Sequence, residues 1–136
     1  MGKIQVITDS ASDISYENEK RYDIHIIPFP VVIGEKSYLS RVDMDYDGFY
    51  IQMEDQEDVP KTSQITSYQF EELYYECYQK GCTDVILVMI NSKGSATYQN
   101  SLWPSTHFLR SIRSVRVRFL FTVMTGAVIP APTASR

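Results

Sequence analysis

Six apolar residues in succession, Val85, Ile86, Leu87, Val88, Met89 and Ile90, constrain this chain more than any other stretch. A run without polar alternation fits a strand covered on both faces, as in a parallel sheet. Five of the next seven residues are Ser, Thr, Asn or Gly: Asn91, Ser92, Gly94, Ser95 and Thr97. A helical segment with Thr97, Tyr98, Leu102 and Trp103 follows. Strand, small-residue loop and helix together aim free N–H groups and hydroxyls at a ligand beyond the strand's carboxyl end. The helix dipole favours an anion there. The loop holds no strong base and no nucleophile with an evident partner, so it reads as a holder of a negative group.

The remaining elements alternate in the manner of an α/β layer fold. Residues 3–9 form a short strand ending in the polar cluster Asp9, Ser10, Ser12 and Asp13. A structural role for Asp9 is preferred to metal binding, because no second carboxylate close in sequence completes a site. A helix over residues 16–22 precedes the apolar, β-prone residues 24–33, where Pro28 and Pro30 place an edge or an irregularity. His25 stands among isoleucines without ligand spacing. Asp45 is a helix cap, with Tyr46, Phe49, Tyr50 and Met53 at helical spacing behind it. That aromatic stripe suits either a core or the wall of a lipid cavity.

A second hydroxyl-rich connection, Thr62, Ser63 and Gln64, lies just ahead of another helix. Thr66 and Gln69 make a capping-box pattern, and Phe70, Leu73, Tyr74 and Cys77 follow on one helical face. Two such clusters, each opening a helix, point to a shared anion site. The expected fold is therefore α/β, a mainly parallel sheet flanked by helices, in the order β-α-β(β)-α-α-β-α.

With 136 residues the chain can bury a real core. No signal peptide and no apolar segment of about 20 residues for a membrane span is read. Cys77 and Cys82 form no disulfide framework and no zinc pattern, so a reducing, cytoplasmic setting is expected. Residues 1–103 carry 8 Lys and Arg against 17 Asp and Glu, which argues against nucleic acid as a partner. Residues 104–136 carry five arginines and no acid. Pro104 is expected to break the helix that begins near Tyr98. The arginine-rich tail reads as a frameshifted or truncated end, or as a basic arm for nucleic acid or anionic membrane. Val115, Val117, Phe119, Phe121 and Val123 could equally join the sheet as one face of a strand.

Five pieces in order carry a family resemblance: ITDSASD at 7–13, IIP at 26–28 with Val31 and Val32, FY at 49–50, PKTSQ at 60–64 and INSKGSATYQ at 90–99. Together they resemble the DegV family of fatty-acid-binding proteins, over roughly residues 3–101. The resemblance implies a long-chain fatty acid such as palmitate in a tunnel between two domains, with its carboxylate on loop hydroxyls. By position in the motifs these are Thr62 and Ser95, supported by Ser63, Ser92 and Thr97. It also implies a carrier without catalysis or cofactor of its own, presenting its lipid to a separate fatty-acid kinase. Departures are Ile65 for a frequent proline, Asn91 for serine, Gly94 for leucine and Ala96 for glycine. Gly94 loosens a loop that leucine would fix. The domain expected is DegV-like over 1–103, with 104–136 divergent and the family's second domain missing, so that binding is impaired. A Ser- or Thr-dependent hydrolase or phosphoryl-transfer enzyme is the alternative, and its base would have to be His25 or His107.

Overall fold

A parallel sheet with the long apolar strand at its centre organises the computed structural model, which describes residues 2–54, 59–90, 96–112, 115–122 and 128–130. The strands are β1 (Lys3–Asp9), β2 (Ile24–Ile27), β3 (Pro30–Ile33), β4 (Lys36–Leu39), β5 (Lys61–Thr62), β6 (Cys82–Ile90), β7 (Arg116–Thr122) and β8 (Val128–Pro130). Helices are α1 (Tyr16–Arg21), α2 (Tyr46–Glu54), α3 (Ser67–Gln79) and α4 (Thr97–Ile112), with a 3-10 turn at Ser10–Ser12. Five strands form one sheet in the order β2-β1-β6-β7-β8. The first four run parallel, and β8 closes the edge antiparallel to β7. A separate antiparallel sheet has the order β4-β3-β5.

The two sheets part where the prolines stand. Pro28 lies between β2 and β3, and Pro30, which has no N–H to give, opens β3. The irregularity expected there is thus a change of sheet. Within the parallel sheet, Ile7 pairs with His25 on one side and Leu87 on the other, so all three share a face. Against that face lies α3, whose Phe70, Leu73, Tyr74 and Cys77 are buried with Ile7, Ile27, Val85, Leu87 and Met89. The stripe and the capping box both take their expected form: Thr66 Oγ1 accepts from Gln69 N–H, and Gln69 Oε1 accepts from Thr66 N–H at 2.9 Å. Gly81, at φ 74°, turns the chain from α3 into β6 in a conformation that side chains disfavour. Cys77 and Cys82 are free and buried, and burial pushes the Cys77 thiol up to about 12. Such a thiol packs as a small hydrophobe rather than reacting.

Pro104 does not end the last helix. It sits fully buried inside α4, which runs on to Ile112. Hydroxyls around it bond back to the ladder: Ser101 Oγ donates to Tyr98 O at 2.6 Å, Ser105 Oγ to Leu102 O at 2.7 Å and Thr106 Oγ1 to Leu102 O at 3.1 Å. The burial of the ring works against the lost amide hydrogen bond that proline costs. Strand β7 follows and extends the sheet beside β6. Its Arg116 and Arg118 lie level with Asp84 and Ile86, and both guanidinium groups reach Asp84, at 2.9 and 3.8 Å. Hydrogen bonds from Arg116 and from Thr83 hold the Asp84 carboxyl below the usual carboxylate range. No helix among the described residues is long and apolar enough to cross a membrane.

Candidate functional site

The small antiparallel sheet carries the second hydroxyl cluster to its place. Residue Thr62 pairs with Val31 in β3, and Val31 pairs with Tyr38 in β4. Directly opposed residues present their side chains to the same face. Thr62, Val31 and Tyr38 therefore form one cross-strand row. Ser63 N–H donates to Pro30 O at 3.0 Å, which holds the chain against β3 one residue further. Thr62, Ser63 and Gln64 are exposed, whereas Ile65 is completely buried and anchors the segment in the core.

The other hydroxyl cluster is brought beside it. Asn100, in the first turns of α4, donates from Nδ2 to Ile65 O at 2.8 Å and to Gln64 Oε1 at 3.4 Å. Thr97, the first residue of α4, is buried. Ser92 and Ser95 lie outside the described residues. Thus Thr62, Ser63 and Thr97 stand on two segments joined by a side-chain clamp at the start of a 16-residue helix.

An apolar cavity of about 240 Å³ opens on the same face of the small sheet. Val31 and Tyr38 of the cross-strand row line it, with Phe29, Met44, Phe49 and Tyr50 completing the apolar wall. Asp45 caps α2 as expected, accepting from Gly48 N–H at 2.8 Å. The aromatic stripe of α2 is therefore cavity wall at Phe49 and Tyr50, although Tyr50 is 61% exposed. The cavity's polar lining is Ser10 and Ser40, whose Oγ atoms lie 2.5 Å apart, with Arg41 and the carboxylates Asp13 and Asp45. The Arg41 guanidinium is engaged: it pairs with Glu19, donates to Ile14 O and covers the Tyr16 ring at 4.2 Å. These contacts hold Arg41 at φ 65°, a conformation unfavourable for a long side chain.

Sequence reading passed over Ser40 and Arg41, and took Ser10 only as part of a turn. Their association spans thirty residues and has no local signature. Asp9, at the end of β1, accepts from Ala11 N–H at 3.0 Å, the structural role expected of it. Burial raises the Asp9 carboxyl, and that hydrogen bond partly offsets the rise. Neither histidine lines the cavity. His25 lies between β2 and α3 beside Gln69, Leu73 and Glu76, and His107 stacks on Trp103 at 4.7 Å. Among the described residues, no group of three or more His, Cys, Asp or Glu side chains could hold a metal ion.

Comparison with known proteins places these features in a lineage. Residues 3–126 match the sequence model of a family described as uncharacterised proteins of the DegV family. A DegV domain-containing protein of Clostridium acetobutylicum is 38% identical over 95% of this chain, which spans 45% of that protein. One from Clostridium perfringens is 37% identical over 78% of the chain and 38% of its own length. A DegV domain-containing 15.5 kDa protein of Staphylococcus aureus is 34% identical over 77% of the chain and 74% of its own length. Among solved structures, a stearic-acid-binding protein from Eubacterium ventriosum superposes with a TM-score of 0.75 at 26% identity, covering 88% of this chain and 40% of that one. DegV of Bacillus subtilis, a fatty-acid-binding protein, gives 0.73 at 27% identity, covering 86% and 40%. The chain thus spans less than half the length of most of these relatives. Sequence and fold agree over nearly its whole extent: this chain belongs to the DegV family.

Proposed function

We propose that this chain forms one wall of a binding site for a long-chain fatty acid such as palmitate. The observation that carries the reading is the cross-strand row of Thr62, Val31 and Tyr38, which begins in a hydroxyl and ends in an apolar cavity. The carboxylate accepts hydrogen bonds from Thr62 and Ser95, with Ser63, Ser92 and Thr97 supporting the two loops. Phe29, Val31 and Phe49 receive the acyl chain. Each methylene removed from water contributes about 0.8 kcal/mol, so the hydrocarbon supplies most of the affinity. The stearic-acid-binding protein and the fatty-acid-binding DegV of Bacillus subtilis support this ligand class.

A cavity of about 240 Å³ lies below the roughly 300–1,000 Å³ of complete small-molecule sites. Binding by these 136 residues alone is therefore weak, and a further wall is needed to close the site. The chain acts as a carrier without catalysis of its own, in a reducing cytoplasm, and a fatty-acid kinase is the partner that would take its lipid. Arg116 and Arg118 of the arginine-rich stretch are turned to Asp84, which favours a role within the sheet for these two residues.

Titration of palmitate into delipidated protein, with native mass spectrometry as a second readout, tests the reading. Thr62→Val removes a hydrogen bond to a charged group, and should weaken whatever binding is seen by about tenfold or more. Submicromolar binding by the parent chain would contradict the weak, open site, and affinity indifferent to Thr62→Val would remove the carboxylate from that loop.

A further inference from the structure

Two hydroxyls and one amide meet at the inner wall of the cavity, and their hydrogens can be counted. Phe29 N–H points at Ser40 Oγ, 3.1 Å away, and at Ser10 Oγ, 3.3 Å away. The two oxygens are 2.5 Å apart, so one hydroxyl hydrogen spans the gap between them. Ser40 N–H donates to Phe29 O at 3.1 Å and fixes the pair to the end of the small sheet. Each serine hydroxyl carries one hydrogen. The second hydroxyl hydrogen finds no acceptor among the described residues. Ser10 is buried and Ser40 half-buried, and both line the cavity with Phe29, Val31, Met44 and Phe49, its carboxylates being Asp13 and Asp45. A hydroxyl hydrogen so placed is open to an acceptor that enters the cavity.

We propose that Ser10 and Ser40 form a hydrogen-bond donor subsite that takes an oxygen atom, carbonyl or hydroxyl, carried by an otherwise apolar ligand in this cavity. On the reading of the cavity as an acyl site, on which this part rests, the ligand is a fatty acid oxygenated along its chain. Distance separates this subsite from the one proposed for the carboxylate. Ser40 sits beside Phe29, two residues along β3 from the Val31 row, which is about 7 Å. Thr62 lies on the far side of β3 from β4, about 10 Å across two strand spacings. An anion at Thr62 and an oxygen at the serine pair are thus separated by several methylenes.

The test uses two small isosteres, cyclohexanone and methylenecyclohexane, which differ in carbonyl oxygen against methylene. Both suit the cavity, since a space of about 150 Å³ accepts benzene. Titrations of the full, nitrogen-labelled chain are followed by NMR at the Phe29 amide and at the Met44 methyl. Both probes should move the Met44 resonance. Only the ketone should move the Phe29 amide, and it should bind about three- to tenfold more tightly than the hydrocarbon. Ser10→Ala combined with Ser40→Ala should erase that preference while the hydrocarbon still binds, whereas either substitution alone leaves one hydroxyl hydrogen for the ligand. Thermal melting accompanies each variant; where the double alanine variant fails to fold, Ser10→Cys combined with Ser40→Cys, with its weak donors, should show a reduced preference.

Equal affinities in the parent chain would overturn the proposal. So would a ketone preference that survives in the double alanine variant, or no response of the cavity to either probe at millimolar concentration. Thr62→Val separates the two readings, since it should leave the ketone preference intact. Failure of palmitate binding beside a retained ketone preference would remove the acyl reading and keep the donor subsite. A stearate bearing a mid-chain oxo group, compared with stearate in the parent and in the double alanine variant, tests the extension to oxygenated acyl chains. A preference for the oxo acid that the double variant removes supports it, and equal binding in the parent overturns it.

Discussion

The two faces of the parallel sheet are built from the same strands and have different neighbours. On one face, Ile7, Val85 and Leu87 are fully buried against α3. On the other, Val6 pairs with Ile24 and Ile86, and these three are only partly buried. Ile4 on that face is 56% exposed. A groove of about 440 Å³ runs over it beside Ile14 and Val88. Helix α1, which contributes no buried residue, lies against β2 at the edge. All-parallel sheets are ordinarily covered on both faces. Aliphatic composition alone therefore does not say which residues hold the fold together; the packed neighbour does.

Substitutions on the two faces would sharpen or break this contrast. Leu87→Ala, on the covered face, should cost about 2–5 kcal/mol through lost burial and an unfilled cavity, measured by urea denaturation. A loss below about 1 kcal/mol would mean that α3 does not seal this face. Next in size is Tyr74→Phe. The Tyr74 hydroxyl donates to Ser101 O at 3.2 Å and ties α3 to α4 in the interior. Burial pushes its ionisation far above the usual range. Its removal should cost about 1 kcal/mol in the same assay.

A smaller effect concerns pH. His25 lies half-buried on the covered face, and burial lowers its pKa, against an opposing influence from Glu76 and a reinforcing one from Lys80. The neutral imidazole is favoured in the folded state. The stability it contributes is thus complete above the unfolded value of about 6.5 and is lost as pH falls through the lower, folded value. Melting temperatures from pH 7 to pH 5 should fall more steeply for the parent than for His25→Gln. Equal slopes would place the ring in water. Smallest of all, Ile4→Ala on the open face should change stability by less than about 0.5 kcal/mol. A loss approaching that of Leu87→Ala would show that something covers this face in solution.

Much of the scaffold was legible because its signals are local. Residues 85–90 read as a strand covered on both faces; β6 does lie between β1 and β7, but only its Val85, Leu87 and Met89 face is buried, while Ile86 and Val88 are half-buried. The capping box at Thr66 and the stripe from Phe70 to Cys77 specified α3 without tertiary help. Pro104 misled, since its penalty is local while the burial that works against it comes from the tertiary fold. The two-residue strand β5 had no periodicity to display, yet it carries Thr62 to the cavity face. Ser10 and Ser40 were invisible as a pair for the same reason: each is an ordinary turn residue until the fold sets them 2.5 Å apart. Thr62, Ser63 and Thr97, named from motifs, lie on described segments, and the relation between those segments, through Asn100, came only from the structure.

The strand order has a consequence for how the chain acquires its shape. Lys3 is matched with Cys82, and Thr8 with Val88, so the central pair of the sheet joins segments made at widely separated times on a ribosome. Hairpin β3–β4 needs only its own turn and can form early. Strand β1 must wait, with β2 as its sole neighbour, until β6, which ends at Ile90, has emerged. Closing so long a loop before any packing rewards it is a slow step. The aliphatic edge of β1 is accordingly the surface most exposed to misassociation during synthesis, and arrival of β6 is the event that retires it.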